Sequence, residues 1–306
     1  MAKIVYKNWA VEYGFFPDAL ADSFEPDAPP ANMLTERPGQ IAMMLPGSSN
    51  QVDITFTLGD GSGSSSSAIG RRVDVVAIIN TNAFSVSGDI ATVTMYDSLG
   101  NYSVIPTTYT NGRTNGRTMT NLIWLASDAV GSADINDIVE ITISFEPTAR
   151  FGRLDPWANI VAVDQPFFGT LVAGPAFVPT HGIRLDGYSP GLTDPSQIVQ
   201  SIGGTKWAAR RTRLRRVNAE FALLLTSEIE ALPPTLSLRG LVEQCGISAP
   251  ALWVLNDQEV GNQSMYAYFG EDVNWSALDK VADHDEDGIP VSAPGYRLSF
   301  SLYEAR

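Results

Sequence analysis

Apolar and polar positions alternate through much of this chain, at the period of two that sends successive side chains to opposite faces of a β-strand. The cleanest example lies at the C-terminus. There Tyr296, Leu298, Phe300 and Leu302 alternate with Arg297, Ser299, Ser301 and Tyr303, which predicts a strand with one buried face. As the last segment, it is expected to dock on a sheet laid down earlier and to close the C-terminal domain. Further back, Val52, Ile54, Phe56 and Leu58 alternate with Asp53, Thr55 and Thr57, and Val139, Ile141, Ile143 and Phe145 with Glu140, Thr142 and Ser144. Between them, Val73–Asn80 and Asp89–Tyr96 are runs rich in β-branched residues, closed by Asn80 and Asn82 and by Asp97, Gly100 and Asn101. Many short strands with turns between them predict an antiparallel sandwich or jelly roll over residues 31–178. Gly59–Gly70, with serine at every position of Ser64–Ser67, reads as a flexible loop, and Asn111-Gly112 and Asn115-Gly116 read as turns.

The pattern differs on either side. Pro17, Pro26, Pro29 and Pro30 exclude a long helix from residues 1–30, while Trp9, Tyr13, Phe15, Phe16 and Phe24 need a surface to bury against. This predicts an extended N-terminal arm lying on its own chain or on a neighbouring subunit. After Gly174-Pro175, the glycines and prolines up to Pro195 predict a long irregular connection. Trp207–Leu225 then reads as mostly extended, with Ala219–Leu225 open to helix. A short helix is predicted over Glu228–Leu232 behind Thr226 or Ser227, broken by Pro233-Pro234, and a second over Leu236–Cys245, closed by Gly246. Strands are expected at Ala251–Leu255, Met265–Phe269 and Tyr296–Tyr303, so residues 179–306 read as an α+β domain.

Composition narrows the function classes. The chain has 306 residues, enough for two cores, and its 44% hydrophobic content fits a folded protein. Its net charge of −14 disfavours long-range attraction to nucleic acid or anionic membranes. No apolar run approaches the length needed to cross a bilayer, and Met1–Ala10 has no signal-peptide character, so synthesis in a reducing cytoplasm without membrane insertion is expected. Cys245 is the only cysteine, which excludes intrachain disulfides. The bases are not evenly spread: Lys206–Arg216 holds Lys206, Arg210, Arg211, Arg213, Arg215 and Arg216.

Catalytic motifs are sparse. His181 and His284 are the only histidines, which excludes the usual Cys/His zinc spacings, and there is no G-x-S-x-G elbow, phosphate loop or dinucleotide fingerprint. Carboxylates are abundant, but no pair is singled out for glycoside hydrolysis, so a non-enzymatic role is expected. Asp283, Asp285 and Asp287, followed by Gly288, resemble the first half of a calcium loop. The closing glutamate of such a loop would fall at Pro294, so the expected reading is a solvated acidic hairpin loop without cofactor, with calcium as the alternative. The arginines Arg210, Arg211, Arg213, Arg215 and Arg216 lack interleaved aromatics for stacking bases. They are read instead as partners for carboxylates across a subunit interface. On a strand, Arg211, Arg213 and Arg215 share one face and Arg216 takes the other.

Two stretches resemble known families. Asn32-Met33-Leu34-Thr35-Glu36-Arg37-Pro38-Gly39, the strand ending in Leu58-Gly59, Val73–Asn82 and Gly169–Pro175 together resemble the galactose-binding-like jelly roll of many bacteriophage tail proteins. From Gly203-Gly204 to Leu302-Tyr303-Glu304-Ala305-Arg306, the arginine-rich strand, helix and Trp253 strand resemble the ring-forming domain of long-tailed phage distal-tail and baseplate hub proteins. In distal-tail proteins the ring domain usually comes first; here it comes second, which leaves the particular baseplate component open.

The resemblance implies a mainly β fold: an N-terminal galactose-binding-like jelly-roll sandwich plus a C-terminal α+β ring-forming domain. It also implies a virion structural protein of a siphovirus-like tail tip, assembled as a symmetric trimer or hexamer of itself beside tail tube, tape measure and hub proteins. The alternative is a carbohydrate-binding or receptor-binding tail module. That module would present Gly59–Gly70 and Asn111–Thr118 to a host surface glycan, with Tyr102, Tyr109 and Trp124 as candidate aromatics. A glycan-cleaving enzyme is the third reading.

Overall fold

The computed structural model describes residues 1–17, 20, 22–45, 52–60, 68–84, 90–112, 120–146, 150–154, 160–162, 165–183, 189–193, 197–200, 206–209, 214–230, 236–245, 248–260, 263–270, 274–284 and 290–305. The chain is mainly β with antiparallel pairing, and it divides into two compact units. One comprises Ile4–Ala176 with Asn256–Ser264; the other comprises Met1–Lys3, Phe177–Leu255 and Met265–Ala305.

The first unit is sandwich-like. Its long strands are β1 (Asp53–Leu58), β2 (Val75–Thr81), β3 (Ala91–Asp97), β4 (Tyr102–Ile105), β5 (Thr120–Leu125), β6 (Ile138–Phe145) and β7 (Leu171–Gly174). One six-stranded sheet runs Val130–Gly131, β4, β3, β6, β1 and Gly14–Phe15. The other six-stranded sheet pairs β2 with β5 on one side and with β7 and Phe167–Phe168 on the other. The alternation read in the sequence explains the packing. Ile54, Phe56, Met95, Ile141 and Ile143 of one sheet share a core with Val76, Ile78, Leu122, Trp124 and Leu171 of the other. The opposite face of the first sheet is rich in threonine, and the hydroxyls of Thr55 and Thr142 bond across strands at 2.9 Å. The strand β2 is buried at every position but Asn80, as its unbroken apolar run requires. Asn80, the penultimate residue of β2, has φ 69°, a left-handed conformation that asparagine tolerates, and donates its backbone N–H to Asn121 Oδ1 at 2.9 Å.

From Trp9 onward the N-terminal segment folds onto this unit. A five-residue helix, α1 (Trp9–Tyr13), is followed by the edge strand Gly14–Phe15 against β1, and Pro30–Leu34 forms a 3₁₀ turn. Phe24 and Met33 are buried, and Phe16 meets Phe56 edge-on at 6.4 Å. The Arg71 guanidinium stacks 3.4 Å from the Tyr13 ring centre and donates through Nη2 to the Gly59 carbonyl at 3.1 Å. Arginine on an aromatic face gains from the ring quadrupole, so this contact pins α1 to the loop after β1.

The turn after β3 shows how a carboxylate replaces backbone partners. Asp97 is 3% exposed. Its Oδ1 accepts the N–H groups of Leu99 (3.0 Å) and Asn101 (2.8 Å), and its Oδ2 accepts Asn101 Nδ2 (2.9 Å) and the Asp134 N–H (3.2 Å). The Asn101 side chain, followed by the Asp134, Asn101 and Leu99 amides, holds the carboxyl below its ordinary pKa against the opposing effect of burial. A depressed acid stabilises the fold above its unfolded pKa of about 4 and loses that contribution as pH falls through the lower folded value. Asp97→Asn turns a donor toward donors, so its Tm should fall by several degrees at pH 7. Thermal melts as a function of pH should show the gap from wild type closing only below about pH 4.

The second unit is built on a seven-stranded sheet. Its strands are β8 (Ser189–Thr193), β9 (Leu214–Leu225), β10 (Ala251–Val254), β11 (Ser264–Phe269), β12 (Asn274–His284) and β13 (Pro290–Glu304). The order is Lys3–Val5, β10, β11, β13, β9, β8, with β12 also on β13. Among the described residues two helices join it, α2 (Thr226–Ile229) and α3 (Leu238–Cys245). Glu228 accepts the Leu225 N–H at 2.8 Å to start α2, and Ser237 Oγ accepts the Gly240 N–H at 3.0 Å to start α3. Helix α3 buries Leu238, Leu241 and Cys245, spaced for one face, and leaves Arg239 and Glu243 paired outside at 2.8 Å.

Four local expectations change. Asn111-Gly112 lies within the short strand Tyr109–Gly112, paired to Asn121 and Thr120, rather than at a turn. The irregular connection contains β8, whose Pro190 is tolerated because β8 is an edge. Ala219–Leu225 is strand, not helix, because it pairs with β13. A strand the pattern did not announce, β12, runs the length of Asn274–His284.

Candidate assembly interface

The arginine-bearing region sits where β9 meets β13. The register pairs Arg216 with Tyr303, Val217 with Leu302, Asn218 with Ser301, Ala219 with Phe300, Glu220 with Ser299 and Phe221 with Leu298. Alternation then splits the two strands into two faces. Val217, Ala219, Phe221, Leu298, Phe300 and Leu302 are buried. On the other face a polar ladder crosses the strands. Arg216 donates through Nε to Asn218 Oδ1 (3.1 Å) and through Nη2 to Ser301 Oγ (3.3 Å), and Ser301 donates to Asn218 Oδ1 (2.8 Å). Further along, Ser299 donates to Glu220 Oε2 (3.2 Å) and Arg297 pairs with Glu220 Oε1 (3.3 Å). The Arg216 guanidinium also lies 5.3 Å from the Tyr303 ring centre. Arg216 therefore has partners in its own sheet.

Arg215 takes the opposite face, in the row of Val217, and its backbone N–H donates to Glu304 Oε2 at 3.1 Å. Both arginines stand one strand in from the edge, since β8 pairs Leu192 with Arg215 and Gly191 with Arg216. Leu192 on that edge strand is 55% exposed. Arg210, Arg211 and Arg213 lie outside the described residues.

At its other end β13 outruns the sheet. Its pairing with β9 reaches Gly295 opposite Leu225, whereas its pairing with β12 continues through Ala293, Ser292 and Val291 to Pro290 opposite His284. Pro290–Ala293 and Val281–His284 thus form a two-stranded ribbon beyond the end of β9. Asp283 stands on it opposite Val291; Asp285 and Asp287 lie outside the described residues. Among the described residues no group of three or more His, Cys, Asp or Glu is placed to hold a metal ion.

The candidate glycan aromatics separate. Trp124 is fully buried, its indole N–H donating to the Ala91 carbonyl and Thr108 Oγ1, each at 3.1 Å. Tyr109 donates to Asp128 Oδ2 at 2.9 Å, and burial, then that bond and the charges of Asp128 and Asp257, push its pKa up. Tyr102 is 57% exposed, beside Tyr96 at 6.2 Å between ring centres. One further carboxylate stands out: partial burial, and secondly the charge of Glu12, push Glu36 above its ordinary pKa. Its causes are those of a crowded surface acid, and the sequence carried no signal for it beyond an acidic residue in the motif before Arg37-Pro38.

No protein-family model matches the chain, and neither a curated protein nor a solved structure matches it.

Proposed function

We propose that this chain is a structural protein of a bacteriophage particle, a distal-tail or baseplate ring component of a siphovirus-like tail. It assembles as a symmetric homo-oligomer of three or six copies, beside tail tube, tape measure and hub proteins, and it acts by assembly rather than catalysis. The first unit serves as a galactose-binding-like jelly roll, and the second forms the ring.

The observation that carries this reading is the β12–β13 ribbon running beyond β9. A two-stranded ribbon is marginal in water by itself and gains stability where another surface covers it. The division into a sandwich-like unit and an α+β unit supports the reading as well, being the organisation that the tail-protein resemblance implies. The glycan-binding alternative retains Tyr102 as its exposed aromatic.

The test is the mass of the purified protein in solution with negative-stain images of the same sample. Closed rings of three or six copies are expected. A monodisperse monomer at micromolar concentration overturns the ring, and a monomer that binds host glycan replaces it with the receptor-binding module.

A further inference from the structure

The outward face of the first sheet carries chemistry that the ring reading does not use. Register sets Tyr102, Tyr96, Glu140, Thr57 and Phe15 in one row across five strands. Directly paired residues of antiparallel strands project from the same face, so these side chains share the side opposite the core. Phe16 confirms the sense, since it turns inward to meet Phe56. The next row holds Val130, Val104, Thr94, Thr142 and Thr55.

The tyrosine end of the row is an exposed corner. Tyr102 is 57% exposed and Val130 71%, and Leu99, in the turn between β3 and β4, is 84% exposed. Buried polar groups fix the backbone beneath them. Asp97 gathers the amides of Leu99, Asn101 and Asp134. Ser103 is 4% exposed, and its Oγ accepts the Ala133 N–H at 3.0 Å, while the Tyr102 carbonyl accepts the Ser132 N–H at 3.1 Å. A corner already held in place loses little further freedom when a ligand arrives.

The residue types select the ligand class. The Tyr96 and Tyr102 rings lie 6.2 Å apart, tilted by 43°. Their electron-rich faces attract the weakly positive C–H bonds of a sugar ring, and tyrosine offers such a face at low cost in side-chain entropy. Beside them in the same row, the Glu140 carboxylate accepts hydrogen bonds and the Thr57 hydroxyl both donates and accepts, as ligand hydroxyls require. Both rows contain one acid and no base, which disfavours an anionic ligand. Buried completely, two tyrosines supply about 300–500 Å². Each partner of a stable protein complex buries about 800 Å², so the corner suits a smaller ligand than a second copy.

We propose that this sheet face binds a neutral glycan chain laid across the strands. One sugar ring stacks on the Tyr96–Tyr102 pair, and the next presents its hydroxyls to Glu140 and Thr57. The site lies on the sheet rather than on the loops Gly59–Gly70 and Asn111–Thr118, and it stands whether or not the chain forms rings.

Calorimetry of the full chain against neutral hexasaccharides of glucose, galactose, mannose and N-acetylglucosamine tests this. At least one should bind wild type with a Kd of about 1 mM or below. Tyr102→Ala should weaken that binding about tenfold, by loss of a stacking face. Glu140→Gln should weaken it by a smaller factor, because a neutral amide is a poorer acceptor than a carboxylate. Tyr109→Phe, beside the second loop, should bind as wild type does. Unchanged Tm identifies folded variants, and both Tyr102 and Glu140 lie outside the core.

Failure of every hexasaccharide to bind overturns the proposal. So does binding that survives both Tyr102→Ala and Glu140→Gln, or that is lost in Tyr109→Phe, since either places the sugar elsewhere. Tighter binding of a sialylated or sulfated oligosaccharide than of its neutral parent overturns the ligand class. A sugar-free Tyr102→Ala protein of lower mass in solution than wild type assigns the corner to contacts between copies and overturns it as well. The ring is read from mass and the glycan from heat, so the two readings fail separately.

Discussion

Replacing Trp253 with alanine should cost the C-terminal unit about 3–5 kcal/mol, whereas Trp253→Phe should leave its stability nearly unchanged. Trp253 is 1% exposed and lies at the centre of an aromatic cluster, 5.3 Å from the ring centres of both Phe269 and Phe300. Phe300 in turn meets Phe221 at 5.1 Å, so one cluster joins β10, β11, β13 and β9. Truncation removes those contacts and leaves a cavity that surrounding strands cannot fill without losing register. The phenylalanine variant is different because the indole N–H is buried with no acceptor among the described residues. Burying an unmet donor costs about 1–3 kcal/mol, and removing it recovers that amount. The smaller ring leaves a void whose cost is about 1 kcal/mol at ~24 cal/mol per Å³, so the two changes nearly cancel. Urea denaturation followed by circular dichroism measures both variants. A loss of about 2 kcal/mol or more in Trp253→Phe would show that the indole N–H is satisfied after all.

Asn8→Ala should destabilise the sandwich-like unit by about 3 kcal/mol, a large effect for one polar side chain. Asn8 is 9% exposed, and its amide satisfies three backbone groups. Nδ2 donates to the Leu171 carbonyl at 2.9 Å, while Oδ1 accepts the N–H of Ala173 at 3.1 Å and of Ala10 at 3.2 Å. The amide therefore closes the outer edge of β7 as one strand residue would, and caps the first turn of α1 at the same time. Alanine leaves all three groups in a dry site, and unmet backbone groups there cost about 1–3 kcal/mol each before water re-enters. Asn8→Asp should recover only part of the loss: both acceptor bonds survive, but a carboxylate then faces the Leu171 carbonyl. Amide exchange at Ala10 and Ala173 gives an independent check, since protection should drop at both sites in Asn8→Ala.

Most of the strands are legible in the local pattern alone. Leu298, Phe300 and Leu302 are buried and Ser299 and Ser301 face outward, as their alternation requires. The turn at Asp97, Gly100 and Asn101 is legible too, since Gly100 takes φ 82° and Asp97 accepts the amides around it. Strand β12 is not. Asn274–His284 mixes alanine, aspartate and lysine without a clean period, and its register with β13 shifts between Leu278 and Val281. Such a segment becomes a strand because a long partner offers it a ladder, and propensity yields to that pairing. Strand β8 is hidden for a similar reason: Ser-Pro-Gly-Leu-Thr reads as a turn, yet an edge strand needs hydrogen bonds on one side only.

The candidate interface divides along the same line. A row of arginines and a run of aspartates are visible as composition, and the two faces of a strand through Arg215 and Arg216 follow from its period of two. That Arg216 is held by Asn218, Ser301 and Tyr303 is not visible, because Ser301 and Tyr303 lie on β13, more than eighty residues along the chain. The sequence by itself determined a mainly β chain, its buried faces and its turns, because alternation and turn chemistry act over a few residues. Only the tertiary structure decided which strands pair, that the arm folds onto its own chain, and that β13 outruns β9. Those depend on ladders between distant segments, where register is set by the partner rather than by the local pattern.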